Sequence, residues 1–434
     1  MSRRMEHRGA CACDNNTGDG AGVMMAVPDK FYRKRLREEL NIVLPPAGHY
    51  ATGVCFLEQM TAPEAERRFE EEALANNLKV LCWRTLPTDD ATLGSVARST
   101  EPYMRQVFVV PTGGQAGNDF KRDVFVLRKT TSHKIPSDKL RYYICSLSPD
   151  TIVYKCSLFS TSVADVKQEN LRCMPTIQQS NTLDSAFQAR NSVVMERLLA
   201  HNGEINTLQG NVNLMRAREG VMQTSIFGDR LRELYPVVEP NLSDSGSVDT
   251  VLEFLVMAGQ RTLPEAVMTM VPEAWQNNEQ MSVEKRQFYQ WSGCAMEPWD
   301  GPALLTFSDG RYIGAILDRN GLRPSRYYIT KDNYMVMASE VGVLDIPSEM
   351  IVQKDEELKL QIARQRPLGE WLKEMFTLAD LHEAAGPVRV PGLRRQDTST
   401  FAKSSKVFQD LRLPLFGYSP ETINLLLLPM VQTE

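Results

Sequence analysis

Asn202 and Gly203 form the part of this sequence that is best suited to chemistry. They follow the apolar run 198–200 and precede a stretch from Thr207 onward in which apolar residues recur at helical spacing. This pattern predicts a short strand, a sharp turn and a helix. Such a turn can direct the side-chain amide of Asn202 and the backbone N–H of Gly203 to one point. Two converging donors are what a developing oxyanion requires during acyl transfer.

A β-hairpin is the structural alternative for this turn, because Asn-Gly is the strongest short hairpin signal. The residues that follow argue against it. Val212, Met215 and Met222 are spaced as on one face of a helix and do not alternate as in a strand. We therefore expect a helix after the turn, although the motif alone leaves both structures open.

Four further motifs accompany the turn, and together they carry a family resemblance. They are Glu6-His7-Arg8-Gly9-Ala10, Thr17-Gly18-Asp19-Gly20-Ala21-Gly22, Ser243-Asp244-Ser245 and Leu317-Asp318-Arg319-Asn320-Gly321-Leu322-Arg323-Pro324. In their order along the chain and in their residues, they resemble the glutaminase domain of glutamate synthase, a class II glutamine amidotransferase of the N-terminal-nucleophile hydrolase type. The resemblance covers about residues 6–155 and 198–434. The amino-acid sequence of 210–220 is typical of glutamate synthase and distinguishes it from other amidotransferases of the class.

The resemblance implies roles for five residues. Asn202 and Gly203 are expected to stabilise the oxyanion, and Asp244 is expected to pair with the α-ammonium group of glutamine. Arg8 matches a position beside the family's nucleophile, where a cation favours a thiolate. His201 is expected to orient the turn, although a purely structural histidine is an equal alternative.

Some of these motifs also have plain structural interpretations. Ser243 before Asp244 is typical of a helix N-cap, and an N-cap is compatible with a substrate-binding aspartate. The segment 318–324 is either a structural turn or, as in the family, a border of the glutamine pocket. The segment 18–22 lacks the Gly-Lys-Ser/Thr ending of a phosphate loop and is expected to be a packing turn.

The sequence departs from the family in two places. The family's nucleophile is an amino-terminal cysteine a few dozen residues before the His-Arg-Gly motif, which here begins at His7. Ser2, Cys11 and Cys13 do not match that position, so we expect the nucleophile to be absent and this chain to be inactive on glutamine by itself. The family also has an arginine, before a Phe-Ser-Thr segment, that holds the α-carboxylate of glutamine, whereas this sequence has Leu158 there.

Composition indicates an ordinary soluble globular protein. The 434 residues are 42% hydrophobic and 24% charged with a net charge of −5, so neither nucleic acid nor a membrane is an expected partner. The apolar runs are too short to span a bilayer. Eight cysteines without regular spacing form no disulfide framework, and Cys11 with Cys13 lacks partners for a zinc site, so no metal is expected. The cytoplasm, or a plastid stroma, is the expected compartment.

The pattern of elements predicts an α+β fold. Strand hairpins are separated by helices, without alternating βα units, and strand pairs flank the turns at 308–310 and 331–333. Other predicted strands are 22–28, 106–110, 123–127, 142–147 and 151–154, and predicted helices are 63–77, most of 207–259 and a region from Asp355. The resemblance implies the four-layer αββα N-terminal-nucleophile hydrolase fold, with two antiparallel sheets between helical layers.

The resemblance also implies a domain order. Residues 1–385 are expected to form the amidotransferase domain, 386–412 a linker and 413–434 the start of the family's central domain. Within the first, 156–197 diverges from the family. Residues 168–191 form a polar stretch typical of a loop, and the segment 156–191 should lie outside the regular sheets. Asn202, Gly203 and Asp244 should meet in one cleft with Arg8 nearby.

The implied function is the glutaminase half of glutamate synthase, which hydrolyses L-glutamine to glutamate and ammonia for the reductive amination of 2-oxoglutarate. FMN and an iron–sulfur cluster are expected only in family domains beyond Glu434, and the remainder of glutamate synthase is the expected partner. A non-catalytic interaction partner of an intact subunit is the alternative. Class II amidotransferases that make phosphoribosylamine or asparagine would need a phosphoribosyl-binding or ATP-binding domain, and the sequence shows neither signature.

Overall fold

The structure is a computed structural model that describes residues 20–88, 98–99, 101–137, 139–157, 176–179, 196–240, 242–329, 335–339 and 355–373. The chain divides into two compact units, Met1–Leu372 and Lys373–Glu434. The strands are β1 (Gly20–Ala26), β2 (Ala51–Leu57), β3 (Leu78–Thr85), β4 (Tyr103–Pro111), β5 (Tyr142–Ser148), β6 (Thr151–Ser157), β7 (Thr176–Gln179), β8 (Leu199–Gly203), β9 (Ala303–Ser308), β10 (Ile313–Leu317), β11 (Arg326–Ile329) and β12 (Met335–Ala338). The helices are α1 (Asp29–Leu40), α2 (Ala62–Ala75), α3 (Gly117–Lys134), α4 (Leu208–Glu219), α5 (Asp244–Met257), α6 (Leu263–Met270), α7 (Val283–Ala295), α8 (Asp355–Ala363) and α9 (Leu368–Lys373), with a 3₁₀ helix at Gly228–Leu234.

The described strands form antiparallel sheets. One sheet has the order β3-β4-β2-β5, a second has β6-β1-β7 and a third has β10-β9-β8, while β11 and β12 form a hairpin. Every pairing between these strands is antiparallel. Because helices accompany sheets whose described strand pairings are all antiparallel, without a parallel βαβ unit among the described residues, the fold is α+β, as the sequence predicts.

The sheet β3-β4-β2-β5 is covered on both faces. On one face, Phe69 of α2 and Phe120 of α3 belong to the same buried cluster as Val107 of β4. On the other face, the ring of Tyr32 in α1 lies 5.4 Å from that of Phe108 in an edge-to-face arrangement. Strand β2 is therefore buried along its whole length, and its near-continuous apolar sequence is typical of a strand between two covering layers.

Strand β8, which carries the candidate site, also has both faces covered. Ala200 packs against Met24 of β1 and Val153 of β6, so this face of β8 lies against the sheet β6-β1-β7. Leu199 points the opposite way and belongs to a cluster with Val251 of α5. The strand is thus held between a sheet and a helix, which fixes the direction of each side chain that follows.

Most predicted elements are confirmed. The strands predicted at 22–28, 106–110, 142–147 and 151–154, both predicted hairpins, and the helices at 63–77, in 207–259 and from Asp355 correspond to described elements. Strands β2 and β3 and helices α1, α6 and α7 were not predicted. The packing turn expected at 18–22 is wrong for residues 20–22, which belong to strand β1 and pair with β6. Among the described helices, none has the length and apolar content to cross a bilayer.

The strand predicted at 123–127 is wrong, because these residues lie within helix α3. The apolar run there is continuous, and such a run does not distinguish a buried strand from a buried helix. Val124 and Leu127 contact the cluster beneath the four-stranded sheet, whereas Phe125 and Val126 belong to the cluster around α5. The helix is apolar on two sides because it fills the space between two cores.

The expectation that 156–191 lies outside the regular sheets is also wrong in part. Strand β6 continues to Ser157, and β7 pairs with β1 from Ala21 to Met24. The physical reason is that β1 presents a second hydrogen-bonding edge, and backbone groups at an edge pair regardless of side-chain polarity. Residues 158–175 and 180–195, the linker predicted at 386–412 and the central-domain start predicted at 413–434 lie outside the described residues.

Candidate functional site

Gly203 ends strand β8 in a backbone conformation that requires glycine. Its φ is +144°, and a Cβ atom at this position would lie 1.9 Å from the carbonyl oxygen of Pro302. The close approach occurs because β8 pairs with β9 up to Gly203 and Ala303. The turn after Asn202 therefore lies directly against the strand that follows Pro302, and no side chain fits between them.

Helix α5 begins next to this turn. The Ser243 hydroxyl accepts a hydrogen bond of 3.1 Å from the N–H of Gly246, so the N-cap interpretation of this motif is confirmed. Asp244, the first helical residue, accepts one bond of 2.7 Å from the N–H of Ser245 and another of 3.2 Å from the N–H of Ile205. The second bond joins the helix start to the segment that directly follows Gly203.

His201 provides a second connection between β8 and α5. Its Nδ1 lies 2.8 Å from the Ser245 hydroxyl, and the side chain is almost entirely buried. Its Nε2 is buried and has no hydrogen-bond partner among the described residues. Burial lowers the pKa of His201 below its ordinary value of 6.5; the Asp244 carboxylate opposes this shift, and the charge of Arg323 adds to it.

Asn202 faces the other side of the strand. Side chains alternate along β8, so Asn202 shares the face of Ala200, toward the sheet β6-β1-β7, while His201 faces α5. Asn202 pairs with Leu304 in the register of β8 and β9, and its side chain is partly exposed. The amide is therefore held on a paired strand but remains accessible.

The turn 318–324 borders the same region. Asp318 is buried and accepts hydrogen bonds from the N–H groups of Ala303, Asn320 and Leu322 at 3.3, 3.0 and 3.0 Å. The bond from Ala303 attaches the turn to the start of β9, and the other two bonds hold the turn itself together. Arg323 then donates from Nε to the Pro302 carbonyl oxygen at 3.4 Å.

A buried ionic network, which no sequence motif predicts, anchors the other end of β8. Arg197 pairs with Asp249 at 2.9 Å and with Glu253 at 3.1 Å, and Arg128 of α3 also pairs with Glu253. Asp249 additionally accepts the Leu198 N–H at 2.8 Å. The available signal was the four-residue spacing of Asp249 and Glu253 in the mostly apolar part of α5, 248–257, which places both carboxylates on one face.

The sequence matches the family described as glutamine amidotransferases class-II over residues 1–361. The chain belongs to the class II glutamine amidotransferases.

Curated relatives of this class II amidotransferase chain are glutamate synthases. It is 39% identical over 464 residues to the NADH glutamate synthase of Saccharomyces cerevisiae, covering 99% of this chain and 21% of the relative. It is 36% identical to the large chain of the NADPH glutamate synthase of Bacillus subtilis, covering 100% of this chain and 29% of the relative. It is 34% identical to a ferredoxin-dependent glutamate synthase of Arabidopsis thaliana, covering 98% of this chain and 27% of the relative. The chain thus spans less than a third of the length of these relatives.

The described part of the amidotransferase contains four of the five predicted site residues. His201, Asn202 and Gly203 lie at the end of β8, and Asp244 is attached to the same turn through the Ile205 N–H. Arg8, together with Ser2, Cys11 and Cys13, lies outside the described residues. No group of three or more His, Cys, Asp or Glu side chains within the described residues is arranged to hold a metal ion.

Proposed function

We propose that this chain is the glutaminase half of a glutamate synthase. In this role it binds L-glutamine and supports its hydrolysis to glutamate and ammonia, and the ammonia serves the reductive amination of 2-oxoglutarate elsewhere in the enzyme. Family membership and the glutamate synthases among the relatives support the proposal. We assign FMN and the iron–sulfur cluster of such an enzyme to its other domains.

The observation that carries the proposal is the bond between Asp244 and the Ile205 N–H, directly after the Asn202-Gly203 turn. We assign the Asp244 carboxylate to the α-ammonium group of glutamine. Oδ1 of Asp244 accepts both the N–H and the hydroxyl of Ser245, at 2.7 and 3.4 Å. Oδ2 accepts the Ile205 N–H at 3.2 Å, which leaves this oxygen a lone pair for a further donor. The side chain is partly exposed and so remains accessible to a ligand.

Asn202 and Gly203 supply the oxyanion donors in this proposal. The Asn202 amide and the Gly203 N–H polarise the side-chain carbonyl of glutamine and stabilise the negative charge that develops on its oxygen. One such donor typically contributes about 3 kcal/mol to the transition state. His201 holds the strand against Ser245, and Arg8 is the proposed cation beside the nucleophile.

The proposal includes the four-layer αββα arrangement of the N-terminal-nucleophile hydrolases. Two contacts support it. Ala200 places one face of β8 against the sheet β6-β1-β7, and Leu199 places the other face against α5. A site at the end of β8 then lies at the rim of two packed sheets, where the turn can expose polar groups.

Calorimetric titration with L-glutamine tests the proposal. The wild-type chain should bind, and Asp244→Asn should weaken binding at least about tenfold, because it removes a charge-assisted hydrogen bond. Asp229→Asn, which changes an exposed carboxylate on the 3₁₀ helix, is the matched control and should bind as the wild type does. Absence of binding to the wild type would overturn the proposed function, and equal binding by Asp244→Asn would overturn the site.

An ammonia-release assay tests whether turnover follows binding. The expectation from the sequence is that the 434-residue polypeptide binds glutamine with negligible ammonia release. Release that disappears in Ser2→Ala would show this expectation to be wrong and would identify the nucleophile. A polypeptide that neither binds nor hydrolyses glutamine would favour the alternative of a non-catalytic interaction partner.

A further inference from the structure

Helices α8 and α9, together residues 355–373, lie against the region 260–295, which contains α6 and α7. We call the first segment the strap and the second the receiving region. Arg366 of the strap donates to the Gln260 carbonyl oxygen at 2.9 Å. Three ion pairs also join the two segments, and they are Arg366 with Glu265 at 2.8 Å, Arg364 with Glu284 at 3.0 Å, and Lys359 with Glu273. Each pair has its cation on the strap and its carboxylate in the receiving region, so salt weakens all three attachments together.

The apolar part of this contact is small. Among the described residues, the strap supplies Ile362, Ala363 and Leu368 to a buried cluster. At the end of the strap, Trp371 contacts Trp291 with the ring centroids 5.7 Å apart, but Trp371 remains exposed. Burial of so few apolar side chains offsets little of the conformational entropy that is lost when the strap becomes ordered. The ion pairs therefore decide whether the strap stays attached.

Each of the three glutamates is still stabilised if the strap leaves. Glu265, which is buried, is also paired with Arg261 of the receiving region at 3.6 Å. Glu273 is also paired with Lys285 of α7 at 2.8 Å. Glu284 is partly exposed, so water can solvate its carboxylate. Loss of an ion pair is most costly when it leaves a buried charge without a partner, and departure of the strap avoids that cost.

Helix α6 lies between the strap and helix α5. Met268 of α6 belongs to the cluster that contains Ile362 of the strap. Ala266 and Met270 of α6 belong instead to the cluster that contains Val251 of α5. The two faces of α6 therefore contact different partners, and a change at one face reaches the other through the same rigid helix.

We propose that the strap is a detachable element that leaves the receiving region as one unit while the rest of the first compact unit stays folded. Such an opening is a sub-global unfolding event, confined to the segment with few apolar contacts. The chain passes into the second compact unit at Lys373, at the end of the strap. A displacement of the chain at that point acts first on the ion pairs of the strap and, through them, on α6.

Hydrogen–deuterium exchange of the full chain, read by peptide mass spectrometry, tests this inference. At low salt, peptides from the strap should be protected from exchange. In about 1 M NaCl, where the screening length falls to about 3 Å, their exchange should become at least about tenfold faster. Peptides from β8 and α5 should exchange at the same rate under both conditions, because apolar burial and not surface charge holds them.

The double variant Lys359→Gln with Arg366→Gln removes two of the three cations and should lose strap protection already at low salt, with β8 and α5 still protected. Arg67→Gln is the matched control, because it removes an arginine whose ion pair with Glu64 in α2 is also 2.8 Å long. It should leave strap exchange unchanged.

Two results would overturn the inference. If the strap exchanges only together with β8 and α5, at a rate that neither salt nor the double variant changes, it is part of the common core. If it is unprotected in the wild type at low salt, it is not attached at all. None of these outcomes depends on glutamine, so each leaves the proposed function as it stands.

Discussion

His201 and Ser245 are joined by a hydrogen bond of 2.8 Å that connects the end of strand β8 to the first turn of helix α5. The bond between Asp244 and the Ile205 N–H makes a second connection a few residues further along. Two adjacent residues of one helix therefore hold both sides of the Asn202-Gly203 turn. As a result, the geometry of the proposed oxyanion donors depends on the position of the helix start.

The first prediction concerns pH. Burial lowers the pKa of His201 below 6.5, so the folded protein holds a neutral ring where the unfolded chain binds a proton. The contribution of His201 to the free energy of unfolding is therefore fully present above about pH 6.5. It is lost as the pH falls toward the lower pKa that His201 has in the folded protein. His201→Gln should flatten this dependence by up to about 1.4 kcal/mol per pH unit.

Urea unfolding between about pH 5 and pH 8 measures this effect. His49→Gln, which removes an exposed imidazole, is the control and should retain the wild-type dependence. If the free energy of unfolding of His201→Gln depends on pH as strongly as that of the wild type, other groups cause the dependence. The groups facing the ring are Asp244, Ser245 and Arg323, and their variants would then be compared.

Gly203→Ala should destabilise the protein and abolish glutamine binding. The new Cβ would lie 1.9 Å from the Pro302 oxygen at a φ of +144°, so the turn must move. Backbone strain of this kind costs about 1–3 kcal/mol before the displaced hydrogen bonds are counted. Gly210→Ala in helix α4 meets no atom nearer than 3.8 Å and should stabilise by about 1 kcal/mol. Equal thermal midpoints for the two variants would contradict the geometry.

Arg197→Met should be among the most destabilising substitutions near the site. Burial lowers the pKa of Arg197, but the charges of Asp249 and Glu253 outweigh this and raise it. Removal of the arginine leaves Asp249, which is fully buried, without its cation, at a typical cost of about 3–5 kcal/mol. Arg197→Met combined with Asp249→Asn should cost less than the sum of the single variants. Additive effects in urea unfolding would show that the two charges are independent.

Local signals in the sequence were sufficient for the elements that position the turn. The apolar run before Asn202 and the helical spacing after Thr207 correspond to β8 and α4, and Met215 is fully buried as its spacing implies. Ser243 caps α5 through its own hydroxyl. In each case the interacting residues are close in sequence, so composition and spacing contain the information.

The remaining features depend on contacts between residues that are distant in sequence. Asp249 meets Arg197, and Asp318 reaches back to the Ala303 N–H, so neither pairing is expressed as a local pattern. The misassigned run 123–127 is similar, because only two separate cores explain why a helix is apolar on two sides.

Cysteine reactivity tests the packing of the sheets. Burial raises the pKa of Cys145 to about 12 and that of Cys82 to about 11, and it raises the pKa of Cys55 well above the usual range. Because the thiolate is the reactive form, these three should resist alkylation in the folded protein. Cys294 is exposed on helix α7 and should react.

Native protein treated with iodoacetamide at about pH 8, where an ordinary thiol is partly ionised, should therefore carry the label on Cys294 well before the other three. Cys82 is half-buried and should react next, whereas Cys55 and Cys145 should be labelled only in denaturant. Peptide mass spectrometry gives the order, and Cys294→Ser, which removes the exposed thiol, should leave labelling of the other three unchanged. Labelling of Cys55 in native protein at the rate of Cys294 would contradict the burial of β2 between its two covering layers.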